Sequence, residues 1–438
     1  MAGRGDGARR AQAPAPRVPE PASPDGAAAS RTPGRSPGRF LAGDPLRGLA
    51  ALGIGILHAG TVSLYVAGHS SDLMHGWPTP FGHIFGGALG ACANAVSIFF
   101  LLSGYLIARP FVAAFAEARK MPAVVDYLRN RALRVVPAYW AALAVVLVVA
   151  GPQGRTWSDG PRLLGFSEDW VNSPIRFDLG QAWTLNVEVR YYLAVPVVAG
   201  LILLLARLAG GRPRTRRGRL WLVGGMAVAG AFATHAQVGR TTADQIWSLA
   251  GQAHLFLLGA ALAAAELGGA WRWLATRPGR LLGGAAVVGA LGALIWMQYP
   301  GSPLLDLPGL DFQQSVAVVV TLGPLVIVGV PILLQRAGAG CWRVLDNAPL
   351  RWLGARSYGF YLYQLGVLTE LSHHAPAAGL YRRTFVFLVV LGVPIILVLA
   401  ELSWRVVERP ALRWKASRPK PDPSPPGLAP AAASLQHV

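Results

Sequence analysis

Cysteine is almost missing from this 438-residue chain, which has only Cys92 and Cys341. Two cysteines this far apart exclude a disulfide-built scaffold, and nothing near them has the spacing of a cysteine metal site. Charge is also scarce: 14% of residues are Asp, Glu, Lys or Arg, against 53% hydrophobic. With a mean hydropathy of +0.41, the chain is too apolar to be a soluble protein of this length around a single core. Lysine is nearly absent, and the excess of basic residues that gives a net charge of +19 is almost all arginine. That bias suggests GC-rich coding and a bacterial source. No repeat of solenoid period is present, which removes the stacked-repeat architectures.

What the sequence has in quantity is long apolar runs. Ten of them approach the ~20 residues that cross a ~30 Å hydrocarbon core. They lie at about 47–66, 84–108, 137–151, 183–206, 219–236, 246–266, 280–297, 315–334, 353–373 and 385–404. An even count returns the chain to the side it started from. With the N-terminus in the cytoplasm, 33 of the 40 Lys and Arg residues fall in the two tails and the inner loops, as the positive-inside bias requires. The expected architecture is therefore an all-α, polytopic membrane helical bundle of about ten transmembrane helices, with both termini cytoplasmic. It is expected as a multi-pass protein of the plasma membrane, with the lipid bilayer as its first partner. The positive charge is then a matter of topology, and no nucleic-acid partner is expected. Residues 1–40 are rich in Pro, Ala, Gly and Arg and read as a disordered basic arm, neither signal peptide nor folded domain. Residues 41–414 form the membrane domain, and 415–438 read as a disordered tail with no soluble catalytic domain after the last helix.

A few polar residues interrupt these runs, and each needs a reason. Arg47 and His58 share the first stretch, eleven residues apart. At ~100° and ~1.5 Å per residue they lie on nearly one helix face, about 16 Å apart along the axis. Arg47 at one membrane surface therefore brings His58 near the midplane, where an ionisable side chain faces a site, a pathway or a structural hydrogen bond. The second stretch ends in Phe99-Phe-Leu-Leu-Ser103-Gly104-Tyr105, whose small residues suit the close approach of a helix or a ligand. Arg131 and Arg134 are neighbours on one helical face at the start of the third stretch. Guanidinium forks match phosphate oxygens, so the pair fits a phosphate-bearing ligand from the cytoplasm or the headgroups of the bilayer. The fourth stretch opens Trp183-Thr-Leu-Asn186-Val-Glu188-Val-Arg190. Glu188 and Arg190 diverge by ~200° and cannot neutralise one another. His58 is one candidate partner for Glu188, although a carboxylate only ~7 Å past Trp183 is shallow for it. The ninth stretch carries Ser357-Tyr358-Gly-Phe-Tyr361-Leu-Tyr363-Gln364, with Gln364 about as deep as His58 and open to a structural or a binding role. His69, His75 and His83 show no metal-ligand regularity, and no metal site is assigned.

These motifs, taken in order, resemble the membrane-bound acyltransferase 3 family from about Asp44 to Pro410. They are Asp44-Pro-Leu-Arg47-Gly with His58; Phe99-Phe-Leu-Leu-Ser103-Gly-Tyr105; Arg131-Ala-Leu-Arg134-Val-Val-Pro137; Trp183-Thr-Leu-Asn-Val-Glu188; Ser357-Tyr358-Gly-Phe-Tyr361; and Glu408-Arg409-Pro410. The resemblance implies transfer of an acyl group, commonly acetyl, from acyl-CoA to a hydroxyl of a glycan or a glycosylated small molecule. No cofactor is held permanently, and acyl-CoA (acetyl-CoA in the simplest case) is the donor substrate. His58 matches the family's essential histidine, and Glu188 matches the family's carboxylate. Arg47 matches that histidine's partner arginine, Arg131 and Arg134 match the family's basic pair, and all three are expected to bind the donor. Ser103, Tyr105, Trp183, Arg190, Tyr358, Tyr361 and Gln364 are expected around the substrates. The chain departs from the pattern at Pro45, at Arg190-Tyr191, and at Gln364, where many relatives have histidine.

The expected chemistry has His58 as general base on the acceptor hydroxyl, with Glu188 orienting its ring. A covalent acyl-enzyme relay to an outer-side acceptor is an equal alternative. The rival from another class is a proton-coupled secondary transporter, which ten helices with buried His, Glu and Arg could also form. That reading predicts internal pseudo-repeats, and none is visible.

Overall fold

The structure is a computed structural model that describes residue 3 and residues 43–68, 81–149, 160–166, 179–238, 248–269, 271–299, 302–308, 311–338, 344–375 and 381–416. All but residue 3 of the predicted arm and all but two residues of the predicted tail lie outside that set, as do Cys341, His69 and His75. Among the described residues every regular element is helical. In chain order they are α1 Gly43–Val66, α2 Phe81–Ala91, α3 Ala95–Ala116, α4 Val124–Val149, α5 Gly160–Leu164, α6 Trp183–Leu208 and α7 Arg216–Val238. Then follow α8 Leu249–Gly268, α9 Arg277–Trp296, α10 Phe312–Arg336, α11 Ala348–Ser372, α12 Tyr381–Phe387, α13 Val393–Ser403 and α14 Arg409–Ala416. π-helical turns at Leu388–Gly392 and Trp404–Glu408 join the last three into one continuous helix.

Each of the ten predicted stretches falls on a continuous helical segment, 84–108 on α2, the 3₁₀ turn Cys92–Asn94 and α3, and 385–404 on α12, α13 and the π-helical turn between them. Eight are long and apolar enough to cross a membrane, so the chain is a multi-pass membrane bundle. The two that fall short in apolarity are α7 and α11, and neighbouring helices explain both. At 23 and 25 residues they are long enough to span, and α11 is largely buried within the bundle, where polar side chains are tolerated. Helix directions place α7 in the alternation. Leu101 and Gly104 of α3 pack on Gly259 and Phe256 of α8, and Arg109 reaches Glu266. The two helices therefore run parallel, and α7 lies antiparallel to α8, with Gly224 against Ala264 and Gly230 against Leu257.

The helices start where the sequence supplies acceptors for their first amides. Asp311 and Gln314 form a reciprocal capping box on α10 (2.8 and 3.1 Å), and Asn347 caps Leu350 of α11 at 2.9 Å. Gly269 ends α8 at φ 80°, a left-handed geometry that glycine adopts without cost.

Two glycine contacts fix the frame. α1 and α11 run parallel with Gly48 against Gly354, where a methyl on Gly48 would lie 2.8 Å from the Gly354 nitrogen. α3 and α8 meet through Gly104 and Gly259, and a methyl on Gly104 would overlap the Phe256 carbonyl. Gly104 thus serves helix packing, one of the two roles open to it from sequence. Replacing Gly104 by alanine is expected to force the helices apart and cost about 1–3 kcal/mol. Thermal unfolding of the detergent-solubilised protein measures this, and an unchanged midpoint would contradict the contact.

Candidate active site

α6 begins deep inside the bundle. The Gln181 carboxamide, in the turn before Trp183, donates to the carbonyls of Tyr361 (3.3 Å) and Leu362 (2.8 Å) in the middle of α11. Thr184 Oγ1 and the Tyr361 hydroxyl are 2.9 Å apart, and that hydroxyl reaches the Gln181 carbonyl at 3.0 Å. Trp183 accordingly lies against Phe100 (centroids 5.9 Å apart) in an aromatic column that continues through Phe256 to Tyr191. It is a packing residue of the bundle interior. Glu188, five residues on, is therefore carried toward the end of α1 that holds Arg47.

There a cavity gathers Arg47, Arg131, Arg134, Glu188, Ser103 and Tyr358, from α1, α4, α6, α3 and α11. The Ser103 hydroxyl donates to Glu188 Oε1 at 2.6 Å. Arg47 is in electrostatic contact with both Arg134 and Glu188, and it pairs loosely with Asp44 at 4.0 Å. Arg131 lies 5.7 Å from the ring centroids of Tyr127 and Tyr192, a cation–π placement that holds a guanidinium without neutralising it. Tyr358 donates to the Val135 carbonyl at 2.9 Å, tying α11 to α4 beside Arg134. Three guanidinium groups line the cavity with one carboxylate, Glu188, and Asp44 pairs only loosely with Arg47, so the cavity keeps a positive excess inside an apolar bundle. That excess suits a polyanionic ligand.

His58 is not part of this cavity. It opens on a second one with Thr61, Tyr65, Leu365, Thr369 and His373, toward the far ends of α1 and α11. Its Nδ1 is buried without a hydrogen-bond partner among the described residues. The space available is about 80 Å³ in the arginine cavity and about 450 Å³ in the His58 cavity. Only the second falls within the roughly 300–1,000 Å³ typical of small-molecule sites.

The structure places several of the expected residues apart. The direct His58–Glu188 contact is not formed, because α6 starts at the level of Tyr361 and takes Glu188 away from His58. Tyr105 does not face the cavity: its hydroxyl points to Glu266 at 3.4 Å. Arg190 is exposed on the outer side of α6, as its ~200° divergence from Glu188 requires. Gln364 is fully buried and lines neither cavity. Ser103, Tyr358 and Tyr361 do line the arginine cavity.

Other polar groups escaped the sequence reading. Glu266, buried on α8, is held by Arg109 (2.8 Å) and Arg336 (2.9 Å), which joins α3, α8 and α10. His254 is buried on the same helix with its ring 5.2 Å from that of His235. The signal that could have found both is the one that found His58, an ionisable residue inside or at the edge of an apolar run. Glu408 is buried where the second π-helical turn brings it in. It accepts from Ser403 at 3.2 Å and packs on Gly359. That contact gives the Glu408-Arg409-Pro410 motif a structural role.

Residues 44–401 match the acyltransferase 3 family, described as an acyltransferase domain. A match over most of the chain shows that it belongs to this family, and the bundle is a membrane acyltransferase. The chain is similar to the exopolysaccharide production protein ExoZ of Rhizobium meliloti (strain 1021). The two are 28% identical over 347 residues, which covers 76% of this chain and 92% of that protein. No solved structure matches it.

Proposed function

We propose that the chain transfers an acyl group, acetyl in the simplest case, from acyl-CoA to a hydroxyl of a polysaccharide or another glycosylated acceptor. The observation that carries this reading is the convergence of Arg47, Arg131 and Arg134 on one cavity of a membrane acyltransferase. A donor bearing several phosphates is the ligand such a cluster would hold. The family resemblance suggests CoA as its carrier, and similarity to an exopolysaccharide production protein favours a polysaccharide acceptor. The distribution of basic residues supports a cytoplasmic position for the ends of α1 and α11 that bear Arg47 and Gly354. The donor then enters from the cytoplasm, and the wider His58 cavity takes the acceptor from the other side.

In the reaction, His58 accepts the proton of the acceptor hydroxyl as its oxygen attacks the thioester carbonyl. The C–O bond forms, the C–S bond breaks, and CoA leaves as the thiolate and takes up a proton. Glu188 acts on the donor side by holding the arginine cluster through Arg47 and Ser103. Its influence on His58 is indirect.

Replacing Arg131 or Arg134 with alanine is expected to raise the KM for acyl-CoA about tenfold or more, the loss of one charge-assisted contact of ~1.5–3 kcal/mol. The turnover number should change less. Initial rates of labelled acetyl incorporation into polysaccharide test this. An unchanged KM in both variants would remove the arginine cavity from donor binding.

A further inference from the structure

Between the two cavities lies a wall, and the Gln364 carboxamide within it has no hydrogen-bond partner among the described residues. Gln364 is completely buried, and neither its Nε2 nor its Oε1 makes a hydrogen bond. On α11 it follows Tyr361 and Leu362, which line the arginine cavity, and precedes Leu365, which lines the His58 cavity. Across from it Gly55 stands on α1 between Arg47 and His58. A methyl added there would come 3.0 Å from Gln364 Oε1 and 2.8 Å from the Phe360 ring. The amino end of α6, with the positive partial charge of a helix N-terminus, reaches the same level, where Gly180 lies against Leu365.

An amide buried in hydrocarbon without partners is a standing cost to the fold. A methionine of similar length would fill the same space without it. The chain nevertheless keeps one on α11 between the residues that line the arginine cavity and Leu365, which lines the His58 cavity. A thioester arriving there presents one strong acceptor, its carbonyl oxygen, and that oxygen gains negative charge when the hydroxyl attacks.

We infer that Gln364 is a positioning residue for the acyl group: its Nε2 donates to the thioester carbonyl oxygen and holds the carbonyl carbon within reach of the acceptor hydroxyl on the His58 side. The inference rests on the acyl-CoA reading above. The wall must open for the acyl end to enter, and Gly55 leaves the carboxamide free of a Cβ that would lock it.

The test compares the full chain with Gln364→Met and Gln364→Asn, each purified in detergent. Acetyl transfer from acetyl-CoA to polysaccharide and thermal unfolding are measured on the same preparations. Gln364→Met is expected to lower kcat at least tenfold with the KM for acetyl-CoA nearly unchanged, while its unfolding midpoint equals or exceeds that of the native chain. Gln364→Asn, which keeps the amide, is expected to recover part of the lost kcat. A fully active Gln364→Met would overturn the inference and leave the acyltransferase reading intact. A Gln364→Met that is inactive and also unfolds at lower temperature would make Gln364 a structural residue and overturn it as well. If the native chain transfers no acyl group from any acyl-CoA, the reading and the inference fall together.

Discussion

Substituting alanine for His58 is expected to lower the turnover number about 10²–10⁴-fold, the usual contribution of a positioned general base. The KM for acyl-CoA should hardly move, since His58 and the three arginines line separate cavities. This pattern, a loss in kcat and in kcat/KM together, is that of an interaction made in the transition state. His58 has few structural duties to confound the result. Its Nδ1 bonds to nothing among the described residues, and the cavity beside it already offers space. The variant should therefore insert and fold normally. Kinetics of acetyl incorporation at several acyl-CoA concentrations distinguish the outcomes. A His58→Ala variant with native turnover would end the general-base role.

The second large effect is on stability. Glu266 holds two guanidinium groups at once, Arg109 at 2.8 Å and Arg336 at 2.9 Å, and its own side chain is only 6% exposed. Removing it leaves two partly buried cations facing each other without a counter-charge. Breaking a buried pair in this way costs roughly 3–5 kcal/mol. Glu266→Ala is therefore expected to unfold at clearly lower temperature than the native protein, and Glu266→Gln should be intermediate. Replacing Arg190, exposed on α6, should change little. If Glu266→Ala unfolds with the native midpoint, the three-helix clamp is not a stabilising element.

Much of the architecture was legible because a bilayer constrains helices by length and apolarity. The ten stretches become ten continuous helical segments, with the third extended back to Val124 so that Arg131 and Arg134 lie in its first turns. The pair could be assigned to one face from their spacing alone. Distances between elements were not legible. Helical periodicity gives the direction in which Arg47 and His58 point, but not which helix enters between them. α11 does so, packing Phe360 and Gln364 against Gly55 and dividing one expected site into two cavities. Glu188 was harder still. Its depth depended on where α6 begins, and that is set by a tertiary contact, Gln181 with the carbonyls of Tyr361 and Leu362. An aromatic residue at the start of an apolar run reads as an interface anchor, whereas Trp183 is half-buried and packs edge-on against Phe100.

The same partition changes the rival reading as a transporter. Two cavities divided by a wall also describe an alternating-access pathway, but membership of an acyltransferase family assigns the chain to group transfer. What passes the wall on this account is an acyl group.

The most direct test of that account uses membranes from cells with and without the chain, incubated with acetyl-CoA labelled in the acetyl carbons. Label is expected in the polysaccharide fraction, released by mild alkali as an ester must be, and present only when the native chain is present. Equal labelling of the polysaccharide in membranes that lack the chain, or none in membranes that hold it folded, would contradict it.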